Sequence, residues 1–215
     1  MIRIITNKNK NENIQALEDM FKLRYDVAVT QWGWNIPGGK KGYDKDQFDR
    51  EDTVYFLAYN DAEEMVGCGR LNPTLKPHLL SEIFADQCET HGVPRHKNIW
   101  EFSRFMVDGR NQTHTQQVQT NLELCLAVTE YSVAHKIEKL SWLAYASMYT
   151  KSVVLWKTEA LGAVKYYEDD DASYRAALIE TTPESVKRIQ RFLNRKRRKP
   201  IVSIQHGEVT HDIIA

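Results

Sequence analysis

The stretch that most constrains the fold of this chain is Ile99–Asp108, which reads Ile-Trp-Glu-Phe-Ser-Arg-Phe-Met-Val-Asp. Most of its residues are β-branched, aromatic or otherwise apolar, as in a strand that is buried in a sheet. Glu101, Ser103 and Arg104 nevertheless lie at its centre, and ionised side chains are rarely buried unless they are paired. The stretch therefore contains either an internal ion-pair network or the floor of an active site.

Side chains alternate between the two faces of a strand, so Glu101 and Ser103 are expected on one face and Arg104 on the other. For Glu101 and Arg104 to serve one pocket, the strand would need a β-bulge or a splayed end, and bulges are common beside active sites. The sequence therefore predicts an irregular central strand if the two residues act together.

The length of 215 residues fits one domain over residues 1–215, with a basic tail from about residue 195. The formal net charge is +0, so we expect no nucleic-acid partner. The sequence contains no apolar run long enough for a membrane span and no signal peptide, which predicts a cytoplasmic protein. The 3 cysteines are widely spaced and the 7 histidines show no ligand spacing, so we expect neither a disulfide framework nor a metal site.

Hydrophobic periodicity predicts an alternation of strands and helices along the chain. Strands are expected at 2–6, 54–59, 65–71, 99–108, 140–146, 163–167 and 174–180, and helices at 11–29, 115–136, 151–161 and from Pro183 onward. This order is typical of an α/β fold, a three-layer α/β/α sandwich around one mixed, mostly antiparallel sheet.

An unusually long loop is expected between Gln31 and Asp52, because the helical pattern ends there and five acidic residues are concentrated in its second half. Long loops inside compact domains are uncommon and are often functional. Since Trp32 and Trp34 also lie in this segment, a lid or a binding loop is favoured over a linker.

Four motifs follow one another in a distinctive order. They are Arg24 with Val27 and Trp34, then Asp46-Gln47-Phe48-Asp49, then Gly69-Arg70-Leu71 with Pro73-Thr74, then Trp100-Glu101-Phe102-Ser103-Arg104-Phe105. Together they resemble the acyl-homoserine-lactone synthases, the LuxI-type autoinducer synthases, which have an acetyltransferase-like fold. Two positions depart from the family pattern: Asp44 lies where the family usually has Glu, and Ala28 where it has Phe.

The resemblance implies an acyl transfer between two substrates, without a separate cofactor. S-adenosylmethionine would supply its α-amine as the acceptor, and an acyl thioester of acyl carrier protein or coenzyme A would be the donor. After N-acylation, the methionyl carboxylate would displace methylthioadenosine and close the lactone. Segment 109–114, which would hold a pyrophosphate, contains a single glycine, and this favours a carrier-protein donor over free coenzyme A.

On this resemblance, Glu101 is the expected general base for the amine; its structural alternative is an ion pair with Arg104 or Arg70. Asp46 and Asp49 are expected either to bind the acceptor or to brace Arg24 and Arg70. The predicted catalytic residues are Glu101, Arg104 and Ser103. The predicted S-adenosylmethionine site comprises Arg24, Ala28, Trp32, Trp34, Asp46, Asp49 and Arg70.

Ala28 and Trp32 are four positions apart, so a continuous α-helix would place them on one face. Trp32 would then replace the aromatic ring that the family pattern has at position 28. Trp34 is a second candidate for an aromatic face against the sulfonium or adenine, with an ordinary core position under the loop as its structural alternative.

The expected acyl-chain pocket comprises Ser103, Leu143, Tyr145, Met148, Val153 and Leu155. Trp142 and Tyr145 are candidates to fill it, although the sequence does not show which face of the strand they occupy. Carrier-protein docking is expected at Arg195, Lys196, Arg197 and Arg198, with a solvated helix end as the alternative. Two rival functions stay open, a related acyltransferase with a different amine and a homologue that binds ligands without turnover.

Overall fold

The computed structural model describes residues 1–34, 40–168 and 171–196 and the backbone of 204–205. The strands are β1 (Ile2–Ile5), β2 (Val54–Tyr59), β3 (Met65–Pro73), β4 (Ile99–Val107), β5 (Lys139–Tyr145), β6 (Thr158–Ala160), β7 (Lys165–Tyr167), β8 (Ala172–Glu180) and β9 (Ile204–Gln205). The helices are α1 (Ile14–Tyr25), α2 (Leu79–Glu82), α3 (His114–Ala134), α4 (Ala146–Leu155) and α5 (Pro183–Lys196), together with a π-helix (Asp26–Gln31) and short 3₁₀ turns at Lys10–Asn13 and Ala85–Gln87.

The chain divides into two compact units. The first comprises residues 1–70, 104–128 and the described residues from Ile189 onward, and the second comprises residues 71–103 and 129–188. In the first unit the strand order is β4-β3-β2-β1-β9. There β1 pairs antiparallel with β2, with Ile4 opposite Phe56, and parallel with β9.

The core of the first unit forms where α1 packs on the sheet. Its apolar residues recur at helical spacing, which gives the helix one buried stripe. The cluster comprises Ile5, Leu17, Met20, Phe21, Leu23, Val27, Ala28, Tyr55, Leu57, Cys68 and Met106. At Gly67 an added Cβ would lie 2.8 Å from the carbonyl oxygen of Met106, so only glycine allows this close approach of β3 to β4.

In the second unit the strand order is β6-β8-β5-β4, and β7 also pairs with β8. The β4–β5 pair is parallel and β8 is antiparallel to its three neighbours β5, β6 and β7. A cluster of Leu80, Cys88, Leu161, Ala176 and Leu178 forms its apolar core. The predicted α/β fold with a mixed, mostly antiparallel sheet is confirmed.

Two predicted elements were wrong in detail. Residues 158–160, which the sequence assigns to a helix, form β6, because they pair with Ile179–Ala177 of β8; helical and strand periodicities are hard to distinguish in short apolar runs. The predicted helix 11–29 divides into a 3₁₀ turn, α1 and the π-helix. Val27, Val29 and Thr30 are β-branched and disfavour continuation of a regular α-helix.

Candidate active site

Six charged side chains of the first unit form one ion-pair network. Arg24 lies in the last turn of α1, Arg70 in β3 and Arg104 in β4, and the loop after the π-helix supplies Asp44, Asp46 and Asp49. Nε of Arg24 lies 3.0 Å from Oδ2 of Asp44, and its Nη1 lies 2.8 Å from Oδ1 of Asp49. Three arginines thus face three aspartates, and their formal charges balance.

The other two arginines close the network. Nη1 of Arg70 lies 2.6 Å from Oδ1 of Asp46 and 3.1 Å from Oδ1 of Asp49. Arg104 donates from both Nε and Nη2 to the two oxygens of Asp44, at 2.8 and 3.2 Å. Its Nη2 also lies 2.9 Å from Oδ2 of Asp46. Such forked pairs are among the stronger charge-assisted contacts.

Most of the network is buried, and two members form its accessible edge. The side chains of Asp46 and Arg104 are 14% and 11% exposed, whereas those of Arg24, Arg70, Asp44 and Asp49 are at most 1% exposed. Asp46 and Arg104 are therefore the members of the network that are partly exposed to solvent.

Burial and pairing act in opposite directions on the carboxyl groups. Burial alone would raise the pKa of Asp49, but the charges of Arg70 and Arg24 outweigh it and hold the pKa well below its usual range. The pKa of Asp44 is likewise lowered, because Arg24 and Arg104 outweigh its burial. Both aspartates are therefore ionised at neutral pH.

The Asp46–Asp49 segment is also braced locally. The backbone N–H of Asp46 donates to Oδ2 of Asp49 and that of Phe48 to Oδ1 of Asp46, each at 2.9 Å. Phe48 is buried, and the hydroxyl of Tyr55 donates to Asp49 at 3.2 Å. These contacts, with the ion pairs to Arg24 and Arg70, are those expected if Asp46 and Asp49 brace the site. That the two aspartates also bind the acceptor substrate stays a prediction.

The central strand is irregular at Arg104, which has φ +52°. This left-handed conformation is uncommon for a residue with a Cβ and is often associated with bulges and functional sites. It interrupts the regular alternation of β4, and the side chain of Arg104 reaches Asp44 and Asp46. An irregular strand is what a pocket shared by Glu101 and Arg104 would require, and their joint action stays a prediction.

Glu101 lies in the second unit and is buried. Its two carboxylate oxygens accept the backbone N–H groups of Leu79 at 3.0 Å and Leu80 at 2.8 Å. Both donors lie in the first turn of α2, where backbone N–H groups have no partner within the helix. Glu101 therefore fixes the start of α2. The residues next to Glu101 in the sequence give no indication of this contact, because α2 lies about twenty residues earlier in the chain.

One face of β4 and β5 brings several predicted site residues together in the second unit. Glu101 pairs with Ser141 across the parallel strands, and strand alternation adds Ser103, Leu143 and Tyr145 to this face. Trp142 pairs with Phe102 and therefore occupies the opposite face. This answers the question of orientation that the sequence left open.

The residues predicted for the acyl-chain pocket have different environments. Leu143 packs against the apolar cluster of the second unit, and Tyr145 stacks on Tyr174 with ring centroids 4.9 Å apart. On α4, Met148 and Leu155 are partly buried, whereas Val153 is 45% exposed. The pocket role of all of them stays a prediction.

The π-helix changes the relation expected between Ala28 and Trp32. The N–H of Trp32 donates to the carbonyl of Val27, five residues earlier, at 3.0 Å. Ala28 is fully buried while Trp32 is 39% exposed, so the α-helical spacing assumed from the sequence does not hold. Trp34 packs partly against the core cluster, and its ring centroid is 5.1 Å from that of Trp32.

The predicted docking residues are described only in part. Arg195 lies in the last turns of α5, with its guanidinium carbon 5.9 Å from the ring centroid of Phe192. The backbone of Lys196 ends that helix, while its side chain and residues Arg197 and Arg198 lie outside the described residues.

Sequence reasoning missed two features of these sites. Asp44 was recognised as a departure from the family motif but not as a site residue, although it accepts from both Arg24 and Arg104. The backbone of Leu79 and Leu80 was missed as the partner of Glu101, since no local sequence signal marks a backbone donor.

Within the described residues, no group of three or more His, Cys, Asp or Glu side chains is arranged to hold a metal ion. The helices of that part of the chain are all too short or too polar to cross a membrane.

Comparison with known proteins shows which family the sequence resembles. The sequence profile described as autoinducer synthase matches residues 7–183. An isovaleryl-homoserine lactone synthase of Bradyrhizobium diazoefficiens is 36% identical over 66% of this chain and 62% of its own length. An acyl-homoserine-lactone synthase of Pseudomonas fluorescens is 40% identical over 43% of this chain and 50% of its own length. The chain thus spans about half to three fifths of these curated relatives.

Solved structures extend the similarity over the whole fold. A CoA-dependent acyl-homoserine lactone synthase, BjaI, solved with SAM and isopentyl-CoA, matches with a TM-score of 0.83 and 27% identity over 97% of this chain and 95% of that chain. A candidate N-acetyltransferase from Lactobacillus plantarum, 14% identical, matches with a TM-score of 0.53 over 84% of this chain and 99% of that chain, which confirms the acetyltransferase-like fold. The profile match covers most of the chain and both of its units, and the chain belongs to the autoinducer synthase family.

Proposed function

We propose that this protein synthesises an acyl-homoserine lactone from S-adenosylmethionine and an acyl thioester. The observation that carries the proposal is the balanced network of three arginines and three aspartates, with Asp46 and Arg104 at its accessible edge. Membership of the autoinducer synthase family supports the same chemistry, as does a relative named for isovaleryl-homoserine lactone synthesis.

The acceptor carries one cationic and one anionic group on the same carbon, and the network edge offers a partner for each. The carboxylate of Asp46 suits the ammonium, and the guanidinium of Arg104 suits the carboxylate, since it can donate two parallel N–H groups. Because Asp46 and Arg104 already form a pair at 2.9 Å, a zwitterion can exchange partners with them without leaving a buried charge unpaired.

Glu101 is the proposed general base. A carboxylate has about four lone-pair sites, and the N–H groups of Leu79 and Leu80 occupy two of them. These bonds hold the carboxyl group in one orientation and leave two lone pairs for a proton of the ammonium. The resulting amine attacks the thioester carbonyl carbon, the C–N bond forms and the C–S bond breaks. The nitrogen gives up its second proton to the departing thiolate, which leaves as the thiol.

Lactonisation is the proposed second step. The carboxylate oxygen of the acylated acceptor attacks its own γ-carbon, the bond from that carbon to sulfur breaks, and neutral methylthioadenosine leaves. Because both reacting groups belong to one molecule, holding it in the bent conformation supplies much of the rate acceleration. Arg104 is proposed to orient the carboxylate for this step.

The donor is a thioester whose chain is proposed to lie against the face of β4 and β5 that contains Ser103, Leu143 and Tyr145, near Met148, Val153 and Leu155 of α4. Its thiol is that of coenzyme A or of acyl carrier protein. The structural similarity to BjaI, which is described as CoA-dependent, supports coenzyme A, and the single glycine of segment 109–114 supports the carrier protein.

The deciding experiment incubates the purified protein with S-adenosylmethionine and a series of short, medium and long acyl donors, each as the CoA and as the carrier-protein thioester. Mass spectrometry should detect acyl-homoserine lactone and methylthioadenosine in equal amounts. Thiol release without methylthioadenosine would indicate a different amine acceptor. Binding of S-adenosylmethionine by a folded protein without product from any donor would indicate a homologue without turnover.

A further inference from the structure

The two ends of the π-helix are tied to the same short turn after β4. At its C-terminal end, Nε2 of Gln31 donates to Oδ1 of Asp108 at 3.0 Å. At its N-terminal end, Nη2 of Arg110 donates to Oδ2 of Asp26 at 3.3 Å. All four residues belong to the first unit, and we call this set of contacts the π-helix latch.

Asp108 and Arg110 form the centre of the latch. Nη2 of Arg110 lies 2.7 Å from Oδ2 of Asp108, and its Nε lies 3.0 Å from Oδ1. The backbone N–H of Arg110 also donates to Oδ1 at 3.0 Å. Burial acts to raise the pKa of Asp108, but its bonds with Arg110 and Gln31 outweigh this and lower it, so the latch is charged at neutral pH.

The turn that carries the latch is itself fixed to α3. Nε2 of Gln112 donates to the carbonyl of Asp108 at 2.6 Å, and Nε2 of Gln117 donates to the carbonyl of Gln112 at 3.0 Å. Gln117 lies in the first turn of α3. The latch therefore joins the π-helix to a rigid element rather than to a second loop.

A π-helix has a specific need for such a support. Its hydrogen bonds span five residues and are less favourable than those of an α-helix, so π-turns are short, and they occur frequently at functional sites. Removal of the end contacts is expected to let residues 26–31 return toward α-helical hydrogen bonding, which shifts every following residue around the helix axis.

The residues that follow are the two indoles. Trp34 packs on the core cluster that contains Val27 and Ala28, its N–H donates to the carbonyl of Ala28 at 2.9 Å, and its ring contacts that of Trp32. The position of both rings thus depends on the hydrogen-bond register of the π-helix.

We propose that Asp108 and Arg110 are positioning residues that hold the π-helix in register and so place the Trp32–Trp34 pair for binding of the acceptor substrate. The inference about the acceptor rests on the proposed function. The inference about the π-helix register does not, because it can be measured on the protein without substrate.

The test variant is Arg110→Ala, which removes the bond to Asp26 and leaves the Gln31–Asp108 bond in place. Arg110 is 48% exposed, and exposed ion pairs contribute little to global stability, so the melting temperature should stay close to that of the wild type. Arg110→Lys keeps the charge without the fork and should recover part of the effect. The matched control is Lys22→Ala, which removes an exposed pair with Asp19 on α1 of the same unit.

Hydrogen exchange and acceptor binding are the two readouts. Arg110→Ala should speed amide exchange of residues 26–34 selectively, while Lys22→Ala leaves it unchanged. If the fraction of molecules whose π-helix has the register that binds substrate falls to about a tenth, the affinity for S-adenosylmethionine, measured by calorimetry, should fall about tenfold. With turnover, the KM for this substrate should rise while kcat changes by less than about twofold.

Each outcome separates the two proposals. If amide exchange in residues 26–34 is unchanged in Arg110→Ala, the π-helix latch is overturned. If exchange is faster but the affinity for S-adenosylmethionine is unaltered, the proposed role of the latch in substrate placement is overturned. A large fall in melting temperature with equal loss of every activity also overturns it, because it marks a general structural role. If the wild type binds no S-adenosylmethionine, the proposed function fails, while the exchange data still decide whether the latch holds the helix.

Discussion

Nη1 of Arg24 lies 2.8 Å from Oδ1 of Asp49, and neither side chain is exposed to solvent. A buried charge without a partner is strongly unfavourable, and this pair, together with the contacts of Arg24 with Asp44 and of Asp49 with Arg70, compensates both charges. The pair joins the end of α1 to the loop that also carries Asp46, and it explains why the acidic motif has one fixed arrangement.

Removal of one member of this pair is expected to destabilise the protein. Asp49→Asn leaves the buried network with three arginines against two aspartates, and removing one partner from a buried ion pair in this way costs about 3–5 kcal/mol. Thermal and denaturant unfolding should show the loss. Asp19→Asn, which removes an exposed partner of Lys22, is the control and should change stability by less than about 1 kcal/mol. Equal effects of the two variants would contradict the assigned role of the buried network.

The same network predicts an acid-sensitive stability. The pKa values of Asp44 and Asp49 are lowered in the folded protein, so their stabilisation is present above the unfolded value of about 3.9. It is lost as the pH falls through the folded values. The melting temperature should be nearly constant between about pH 7 and 5 and fall below about pH 4. Asp49→Asn should melt lower at neutral pH and show a shallower acid decline; an equally steep decline would exclude Asp49 as a contributor.

Glu101→Gln is expected to affect both catalysis and stability. Loss of a general base lowers turnover by about 10²–10⁴-fold, and the deficit should shrink as pH rises, because more of the amine is then unprotonated. One amide N–H of α2 would also face an NH₂ group instead of an acceptor, at a cost of about 1–3 kcal/mol.

Activity of Glu101→Gln must therefore be measured at a temperature where unfolding assays show the protein to be folded. Glu82→Gln, on the exposed side of the same helix, is the control and should retain activity. Turnover close to wild type in folded Glu101→Gln would assign this carboxylate to the support of α2 alone.

Substitutions at positions 28 and 32 should differ in stability because their environments differ. Ala28 is fully buried, so Ala28→Phe should overpack the core at a cost of about 1–3 kcal/mol. Trp32 is 39% exposed, so Trp32→Ala should cost less than the about 3–5 kcal/mol typical of a buried tryptophan.

The sequence hypothesis that the two side chains share one space predicts that the double variant recovers part of each loss. The structure predicts additive stability effects instead, because Ala28 and Trp32 have separate surroundings. Denaturation of the two single variants and the double variant separates these expectations, and calorimetry with S-adenosylmethionine tests whether Trp32 contributes to binding.

The basic segment 195–198 predicts a dependence on the type of donor. Reversal of charge at Arg195, Arg197 and Arg198 should weaken use of carrier-protein thioesters, whose carrier is acidic, and leave acyl-CoA turnover largely unchanged. The wild-type rate with carrier-protein donors should also fall as salt is added, because charge steering is screened. Lys22→Glu, a single exposed reversal on α1, is the control. If the rate with carrier-protein donors changes neither on charge reversal nor with added salt, the segment has no docking role and is a solvated helix end.

The sequence alone determined most of the helices and strands that carry the candidate site. The apolar stretch that contains Glu101, Ser103 and Arg104 predicted a strand, and the structure has it as β4 (Ile99–Val107). These predictions succeeded because hydrophobic periodicity and the cost of burying charge are properties of the local sequence.

Only the tertiary structure decided which groups meet. Arg104 bonds to Asp44 across sixty residues, Glu101 bonds to backbone N–H groups of α2, and residues 158–160 become a strand because β8 is available to pair with them. The π-helix likewise depends on distant contacts with Asp108 and Arg110. Partners of this kind are absent from any local window of the sequence, since a hydrogen bond or an ion pair is specified by its geometry in space and not by the distance along the chain.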